Sequence, residues 1–554
     1  MPRHQDQQEA TQRATQRDKR AFSTVRHLFL LACATALLSA CADKPPATAF
    51  DRPVTHALPA SDATPLRTAL APLEAAHRDQ SGFRVLSSGT DALQMRIALA
   101  RAATKTLDMQ YYIANEDTTG KLLLGAALYA ADHGVRVRML VDDLNFKDID
   151  RLMAGLNSHD KIEIRVFNPF GSARENLVQR TTNVFTQIGH FTRRMHNKAM
   201  IADNQLAIVG GRNLGDEYFS ASDTLQFRDL DVLAAGPITA DISASFDDYW
   251  NSSMAYPLRV LNKQKFEAKK LDETRDELRQ HWRTNADPYN AKPLNATPLA
   301  SQIATQQLGL TWARAEFKVD VPEKIEHPSP DYVSPPFKRL GELMRDARKD
   351  LLVVSPYFVP HEAGVKAVGQ LTRRGVRVAI LTNSLAATDA VAVQAGYSPF
   401  RVPLLKQGAE LYEFKPQQQD GPPAGFAGSQ SRASLHAKAY VIDRQILVIG
   451  SMNLDPRSAN LNTELALVIH SPPLAAQVAH IFDLTTKPEV SYRVTLADDA
   501  QVAHLRSIGA PSSPLVWTDV EKGARRTYIF DPEAGLYRNA LTGLFSLLPV
   551  NAEL

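Results

Sequence analysis

Two segments of the chain repeat each other: RMHNKAMIADNQLAIVGGRNL starts at Arg194, and SLHAKAYVIDRQILVIGSMNL starts at Ser434. Each contains H-x-K-x4-D followed at the same distance by G-[GS]-x-N, and the two motif histidines are 240 residues apart. This period is far too long for a solenoid repeat, so it indicates a duplicated domain.

The residues that follow each motif histidine alternate between polar and apolar, which predicts a β-strand. Residues i and i+2 of a strand face the same way, so the histidine and lysine of each copy point together into one cavity. The asparagine amides can donate to a phosphate oxygen. We therefore predict one catalytic site that contains His196, Lys198, Asn213, His436, Lys438 and Asn453.

The motif aspartates, Asp203 and Asp443, come five residues after the lysines and are predicted to point to the opposite face of the strand. We assign them a structural role, either capping the strand turn or pairing with a basic group. The small residues that follow, Gly210-Gly211 and Gly450-Ser451, let the backbone approach closely.

A catalytic imidazole needs an acceptor that holds one ring nitrogen. Glu464 lies 28 residues after His436, and Asp229 is its counterpart after the first motif. Each is a candidate to orient a histidine, and Asp231 competes with Asp229 for this role.

Two histidines on opposite sides of a phosphorus atom, with two ammonium groups beside them, suit phosphodiester exchange. That reaction needs an in-line nucleophile, an acid for the leaving oxygen and preorganised positive charge. The lysines supply the charge and the sequence has no clustered acidic ligand motif, so we expect neither a metal nor another cofactor.

The repeat extends beyond the motifs, since GVRVRMLVDD from Gly134 returns as GVRVAILTNS from Gly375. Helical segments alternate with β-branched runs in each copy, which predicts an α/β fold with mixed sheets. We divide the body into a first half (67–256), a bridging segment (257–307), a second half (308–490) and a C-terminal extension (491–554). Within the extension, 537–550 is an apolar segment that lies either on a lipid surface or against the body.

The N-terminus has basic residues, a short apolar run from Leu28 to Leu38, and then Ser39-Ala40-Cys41. This order is typical of a secretory signal over residues 1–40, and the last four residues resemble a lipobox in which Cys41 is acylated. The alternative is an ordinary signal with a chance cysteine. Residues 41–66 are rich in Pro and Ala, which predicts a tether to the membrane.

Removal of the signal also changes the net charge. The chain has 63 basic and 60 acidic residues, and residues 1–40 hold six of the former and three of the latter. The remaining chain is formally neutral, which argues against a nucleic-acid partner bound through a broad cationic surface.

Together the two motifs identify the chain as a member of the phospholipase D superfamily. The stretches LDMQYYI (from Leu107), RVFNPF (from Arg165), ILTNSLAATD (from Ile380) and GSMNLDPRSANLNTE (from Gly450) resemble bacterial cardiolipin synthase C and its relatives. The resemblance implies two α/β halves related by a pseudo-twofold axis, with the active site at their seam.

The resemblance also implies transfer of a phosphatidyl group to phosphatidylglycerol, with phosphatidylethanolamine as a further candidate substrate. His196 would form the phosphatidyl-enzyme and His436 would serve as acid and base, although the order is open to reversal. Ser451 would assist in phosphate binding, whereas Gly211 replaces a serine that is common in the superfamily. We expect one chain to be catalytically complete as a monomer.

Two other activities stay open for the same motifs. Water as acceptor would make the protein a phospholipase D that releases phosphatidic acid, and a nuclease or a non-catalytic envelope lipoprotein is a weaker alternative. The predicted anchor at Cys41 places the site in the cell envelope facing the periplasm. Ala42 after the cysteine favours the outer membrane over the inner.

Overall fold

Each copy of the repeat forms a mixed β-sheet, as expected when helical segments alternate with β-branched runs. The computed structural model describes residues 50–143, 150–169, 192–222, 224–261, 268–286, 299–416, 432–507 and 514–535, with residues 538, 541 and 542. Cys41 and the predicted signal peptide lie outside the described residues, as does most of the segment 537–550.

The strands of the first half contain the first motif at their centre. They are β1 (Ser81–Leu86), β2 (Thr106–Tyr111), β3 (Arg136–Asp142), β4 (Ile162–Phe167), β5 (Ala199–Ala202), β6 (Leu206–Gly210), β7 (Leu225–Arg228), β8 (Asp231–Ala235) and β9 (Ala255–Pro257). Eight of them pair in the order β1-β8-β6-β5-β2-β3-β4-β9. Strands β2, β3 and β4 are mutually parallel and the other pairs are antiparallel, so the sheet is mixed.

Helices flank this sheet and also occur in the described parts of the bridging segment. They are α1 (Pro65–Ala76), α2 (Gly89–Ala102), α3 (Thr118–Asp132), α4 (Asp150–Leu156), α5 (Ile238–Asn251), α6 (Leu258–Leu261), α7 (Ala268–Asn285) and α8 (Leu299–Ala304). Ser88 and Asp117 cap α2 and α3 by accepting from backbone amides of the first turn. Helix α7 packs on α3 and α4, so the bridging segment covers the outer surface of the first half.

The second half repeats the strand order of the first. Its strands are β10 (Thr311–Val319), β11 (Asp350–Val354), β12 (Arg377–Asn383), β13 (Glu410–Phe414), β14 (Arg432–Leu435), β15 (Ala439–Ile442), β16 (Ile446–Gly450), β17 (Leu465–His470), β18 (Ser491–Leu496), β19 (Leu515–Glu521) and β20 (Ala524–Tyr528). They pair as β10-β17-β16-β15-β11-β12-β13-β18-β19-β20. The C-terminal extension therefore continues the second sheet as far as Tyr528, instead of forming a separate appendage.

Several helices of the second half occupy the same places between strands as those of the first, whereas α14 and α16 have no counterpart among the helices of the first half. They are α9 (Glu323–Glu326), α10 (Pro335–Asp346), α11 (His361–Arg373), α12 (Val391–Tyr397), α13 (Arg401–Lys406), α14 (Pro456–Asn460), α15 (Pro472–Thr485) and α16 (Asp499–Ser507). Within the described part of the chain, every helix is too short or too polar to span a bilayer.

Backbone pairings join the two halves at more than one place. Strand β10 pairs with both β1 and β17, so the two sheets are continuous through this edge. The short strands β7 and β14 form a separate parallel pair, in which Leu435 lies opposite Arg228. An apolar cluster containing residues of both halves, among them Phe83, Val209, Val354 and Val441, fills the space between these connections.

The predicted tether is partly bound to the body. The backbone of Thr55 accepts a hydrogen bond of 2.9 Å from Arg138, and its hydroxyl accepts one of the same length from Trp250. The amide of Ala57 donates to Asp247 at 2.7 Å. The segment 51–64 is thus part of the first half, because hydrogen bonds to that half satisfy its polar groups. Sequence periodicity does not predict such contacts.

Candidate active site

The peptide groups next to both motif histidines bond across the seam between the halves. The amide of His196 donates to the carbonyl of Thr463 at 3.0 Å, and the amide of His436 donates to that of Arg228 at 2.8 Å. Thr463 and Arg228 immediately precede Glu464 and Asp229, so each histidine is placed beside the carboxylate of the opposite half. This reciprocal arrangement is the one that a pseudo-twofold axis produces.

His196 forms a hydrogen-bonded pair with Glu464. Its Nδ1 lies 3.0 Å and 2.9 Å from the two carboxylate oxygens. The carboxylate also accepts from Ser451 Oγ at 2.5 Å and from Ser458 Oγ at 2.8 Å. Glu464 is fully buried, whereas 8% of the His196 surface is exposed, which leaves the other edge of the imidazole facing the site.

His436 forms the matching pair with Asp229, with 2.6 Å between Nδ1 and Oδ2. Gly211 packs against Asp229 and leaves no room for a side chain. A Cβ atom on Gly211 would lie 2.3 Å from Asp229 Oδ1. Asp231, the competing candidate, instead binds the buried guanidinium groups of Arg96 and Arg212 at 2.9 and 3.1 Å. The structure therefore brings Asp229, and not Asp231, to the histidine.

The two motif lysines are buried beside the histidines. Lys198 Nζ donates to the carbonyl of His196 at 2.6 Å, and Lys438 donates in the same way to the carbonyl of His436. An ammonium has three N–H groups, so this bond fixes the position of each lysine and leaves donors for an anionic group.

The pKa values of the site reflect burial among these cations. Burial and the two lysines lower the pKa of His196 well below its ordinary value. Burial also lowers the pKa of Lys438 to about 8, although Asp229 and Glu464 oppose the shift. A bound phosphate would supply the missing negative charge and stabilise both ammonium groups.

The two carboxylates differ in proton affinity. Burial raises the pKa of Glu464 to about 7, although Lys198 and the two serine hydroxyls act to lower it. Burial acts in the same direction on Asp229, but His436 and Lys438 outweigh it and hold the pKa of Asp229 well below its usual range. Asp229 is therefore ionised at neutral pH, while Glu464 titrates near neutrality.

The two motif asparagines have different environments. Asn213 Nδ2 donates to the Tyr218 hydroxyl at 2.8 Å, and its Oδ1 accepts from the amide of Ile113 at 3.2 Å. Asn453 Oδ1 is buried without a hydrogen-bond partner among the described residues. This unsatisfied atom is a hydrogen-bond acceptor, so Asn453 would contact a phosphate oxygen through its Nδ2 and not through this atom.

The motif aspartates lie away from this cluster. Asp203 accepts from the amides of Thr104, Lys105 and Thr106 at 3.0, 2.8 and 2.9 Å. Asp443 accepts from the equivalent amides of residues 348–350 at 3.0, 2.6 and 3.1 Å. Both are also the first of the three residues that connect the two strands of their hairpin, and both have positive φ, at 52° and 55°. They tie the motif hairpin to the loop before the adjacent strand.

Several site residues were missed at the sequence level. Asp142 and its counterpart Asn383 accept from the amides of Met195 and Leu435, the residues before the two histidines, at 3.0 and 2.8 Å. The sequence contained a signal for these two residues, because they occupy the same next-to-last position in the repeated segments GVRVRMLVDD and GVRVAILTNS. Aromatic rings also contact the imidazoles, and they are Tyr112 at His196 and Tyr218 and Phe227 at His436.

The chain resembles known phospholipid enzymes. A family model described as "Cardiolipin synthase, PLD-like domain" matches residues 96–250 and 340–485. The chain is 36% identical to cardiolipin synthase C of Escherichia coli K12 over 492 residues, which covers 88% of this chain and 98% of that protein. It is 26% identical to cardiolipin synthase A of Pseudomonas entomophila over 436 residues, covering 78% and 74% of the two chains.

The crystal structure of phosphatidylserine synthase from Haemophilus influenzae has a related fold. It superposes with a TM-score of 0.50 at 14% identity, covering 77% of this chain and 91% of that one. The α/β fold expected from the repeat is confirmed, as is the resemblance to the phospholipase D superfamily that the motifs indicated.

Proposed function

The chain belongs to the phospholipase D-like cardiolipin synthase family, and on this premise we propose that it is a phosphatidyltransferase that forms cardiolipin through a phosphatidyl-histidine intermediate. The observation that carries the proposal is the pair of histidine–carboxylate contacts across the seam, His196 with Glu464 and His436 with Asp229. A single chain supplies both pairs, which supports catalysis by a monomer.

In the first step His196 Nε2 attacks the phosphorus of the donor lipid, and the bond from phosphorus to the head-group oxygen breaks. His436 transfers its proton to that oxygen, so the head group leaves as a neutral alcohol. The lowered pKa of His196 keeps this imidazole unprotonated and nucleophilic at neutral pH. Burial and Lys438 also lower the pKa of His436, but Asp229 opposes this shift, which favours His436 over His196 as the proton carrier.

In the second step the reaction runs in reverse with a different alcohol. His436 removes the proton from a hydroxyl of phosphatidylglycerol, whose oxygen attacks phosphorus while the bond to His196 breaks. Lys198, Lys438 and Asn453 stabilise the negative charge that builds on the non-bridging oxygens. The ionised Asp229 stabilises the imidazolium form of His436, which is present before the first step and forms again in the second.

The acceptor distinguishes a synthase from a hydrolase. We expect the purified protein to convert phosphatidylglycerol vesicles to cardiolipin and glycerol, and vesicles that also contain phosphatidylethanolamine test the second donor. Mass spectrometry of the extracted lipids measures both products, with the His196→Ala protein as the control. Phosphatidic acid without cardiolipin would replace this proposal with phospholipase D hydrolysis.

We also propose that acylation at Cys41 anchors the protein to the cell envelope, on the side facing the periplasm and at the outer membrane. The lipobox-like sequence supports the anchor, and the phospholipid substrates of related enzymes make a membrane-bound position useful. A Cys41→Ser protein is then expected in the soluble fraction of lysed cells. Continued sedimentation of this variant with the membranes would contradict the lipid anchor.

A further inference from the structure

An apolar cavity of about 890 Å³ lies in the second half, between helices α10 and α11 and the sheet. Its floor consists of alternate residues of β11 and β12: Leu351, Val353, Val378 and Ile380. Of the charged lining residues, Arg345 and Arg374 are exposed at the C-terminal ends of the two helices, whereas Asp455 is buried. The volume is within the range of sites that bind small organic ligands.

Two glycines of the helices around this cavity are replaced by larger residues in the first half. Counting back from the matched helix ends, Gly341 of α10 corresponds to Ile97 of α2, and Gly364 of α11 corresponds to Leu123 of α3. Ile97 and Leu123 are completely buried, and α2 packs directly on α3. Two glycines in the second half thus leave a space that two large aliphatic side chains fill in the first.

The cavity is continuous with the catalytic loop. Leu454, Asp455 and Pro456 line it, and they directly follow Asn453 of the second motif. The loop is fixed to the end of β11, since the amide of Leu454 donates to Ser355 Oγ at 3.1 Å and its carbonyl accepts from Val359 at 2.8 Å. One end of the cavity therefore lies at the loop that follows Asn453, a residue of the proposed phosphate site.

We propose that this cavity binds one acyl chain of the phospholipid substrate. The inference rests on the proposed function and adds a lipid-binding site to it. A phosphodiester can reach the buried histidines only if the lipid rises from the bilayer, which would expose the start of its chains to water. An apolar cavity beside the phosphate site removes that cost, because the chain passes from one apolar environment to another.

The site is tested by filling it from Gly341. A Cβ atom there would meet only the flexible Arg345 side chain, at 3.6 Å, so Gly341→Leu can be introduced without a backbone clash. Gly341→Ala is the matched control, because it gives the same gain in helix propensity without occupying the cavity. We expect Gly341→Leu to lower the rate with dioleoyl-phosphatidylglycerol about tenfold or more. Both variants should act normally on the dihexanoyl lipid.

Each other outcome of this comparison overturns the proposal. An equal loss with long and short chains would mean that the leucine disturbs the catalytic loop. An unchanged rate with both lipids would mean that no acyl chain enters the cavity, and that another segment or a partner fills it.

A binding measurement separates this inference from the proposed reaction. The probe is phosphatidylglycerol with a photoreactive diazirine near the end of one acyl chain. It is irradiated with the full-length His436→Ala protein, because the labelling reports lipid binding and does not need turnover. Labelling of peptides from α10 or α11, reduced at least tenfold by Gly341→Leu, supports the site even if the reaction product is not cardiolipin. Labelling confined to other peptides excludes it.

Discussion

The two halves of the molecule share a strand order but bind their motif histidines through different carboxylates. Asp229 is one methylene shorter than Glu464, and it packs against Gly211, where a side chain would collide with it. Glu464 is longer and is held by the hydroxyls of Ser451 and Ser458. Their opposite pKa shifts show that duplicated half-sites can keep one geometry while they acquire unequal proton affinities.

This inequality suits an exchange reaction, which needs one nucleophile and one proton carrier. A strictly symmetric site would give both histidines the same charge and so the same role. The halves differ also in their outer layers, since the first is filled by large aliphatic residues and the second contains the cavity lined by Gly341 and Gly364.

Replacing the histidines should have the largest effect on activity. We expect both His196→Ala and His436→Ala to lower the transfer rate by at least about a thousandfold, since each removes an essential chemical group. A nitrophenyl phosphatidyl ester, whose leaving group needs no proton, should restore nitrophenol release only to His436→Ala. Restoration in His196→Ala instead would reverse the assigned roles, and stopped-flow absorbance distinguishes the two outcomes.

Removing the charge of either carboxylate is expected to have the next largest effect. Asp229→Asn and Glu464→Gln should lower kcat by about 100- to 10,000-fold, because an amide favours the wrong imidazole tautomer. Burial raises the pKa of Glu464 to about 7, so wild-type Glu464 is itself protonated below that pH. The loss caused by Glu464→Gln should therefore be smaller at pH 6 than at pH 8, whereas that of Asp229→Asn should not change. Equal pH dependence of both variants would contradict the difference between the pairs.

Replacing the residues beside the carboxylates should have smaller effects on kcat. Gly211→Ala should displace Asp229 and lower kcat about 10- to 100-fold, because its Cβ would lie 2.3 Å from the carboxylate. Ser451→Ala removes one hydrogen bond to Glu464 and should cost less than about tenfold. Steady-state rates measure both effects, and an unchanged kcat in Gly211→Ala would show that Asp229 does not require the glycine.

The same carboxylates predict a pH-dependent difference in stability. Since the pKa of Glu464 is raised on folding from 4.5 to about 7, the stability linked to this carboxyl is present below pH 4.5 and lost as the pH rises to about 7. The free energy of unfolding of wild type relative to Glu464→Gln should fall by about 2 kcal/mol between pH 5 and 8. Relative to Asp229→Asn it should stay level, because Asp229 remains ionised throughout. Urea titrations at each pH test this.

The motif aspartates should affect catalysis least. Asp203→Ala leaves three backbone amides without their buried acceptor and should lower the free energy of unfolding by about 2–4 kcal/mol. Asp443 is less deeply buried, so Asp443→Ala should cost less. The folded fraction of either variant should keep kcat within about threefold of wild type, measured against its unfolding curve. A much larger loss of kcat would give the aspartates a direct part in the chemistry.

The sequence alone predicted the α/β halves, the paired histidines and lysines, and Glu464 and Asp229 as candidates to orient the histidines. It could do so because the second copy repeats the pattern of the first in register. Two details needed the structure: the motif strands begin only after the lysines, at Ala199 and Ala439, and Asp231, which the sequence left as an alternative to Asp229, binds Arg96 and Arg212 instead.

Only the tertiary structure decided which carboxylate holds which histidine. The partners are 268 and 207 residues apart, and they meet because Met195 and Leu435 pair with residues of the opposite half. The same holds for the docking of 51–64, for the C-terminal strands and for the cavity opened by two glycines. Each depends on which surfaces face each other after folding, and local periodicity contains no information about contacts of that range.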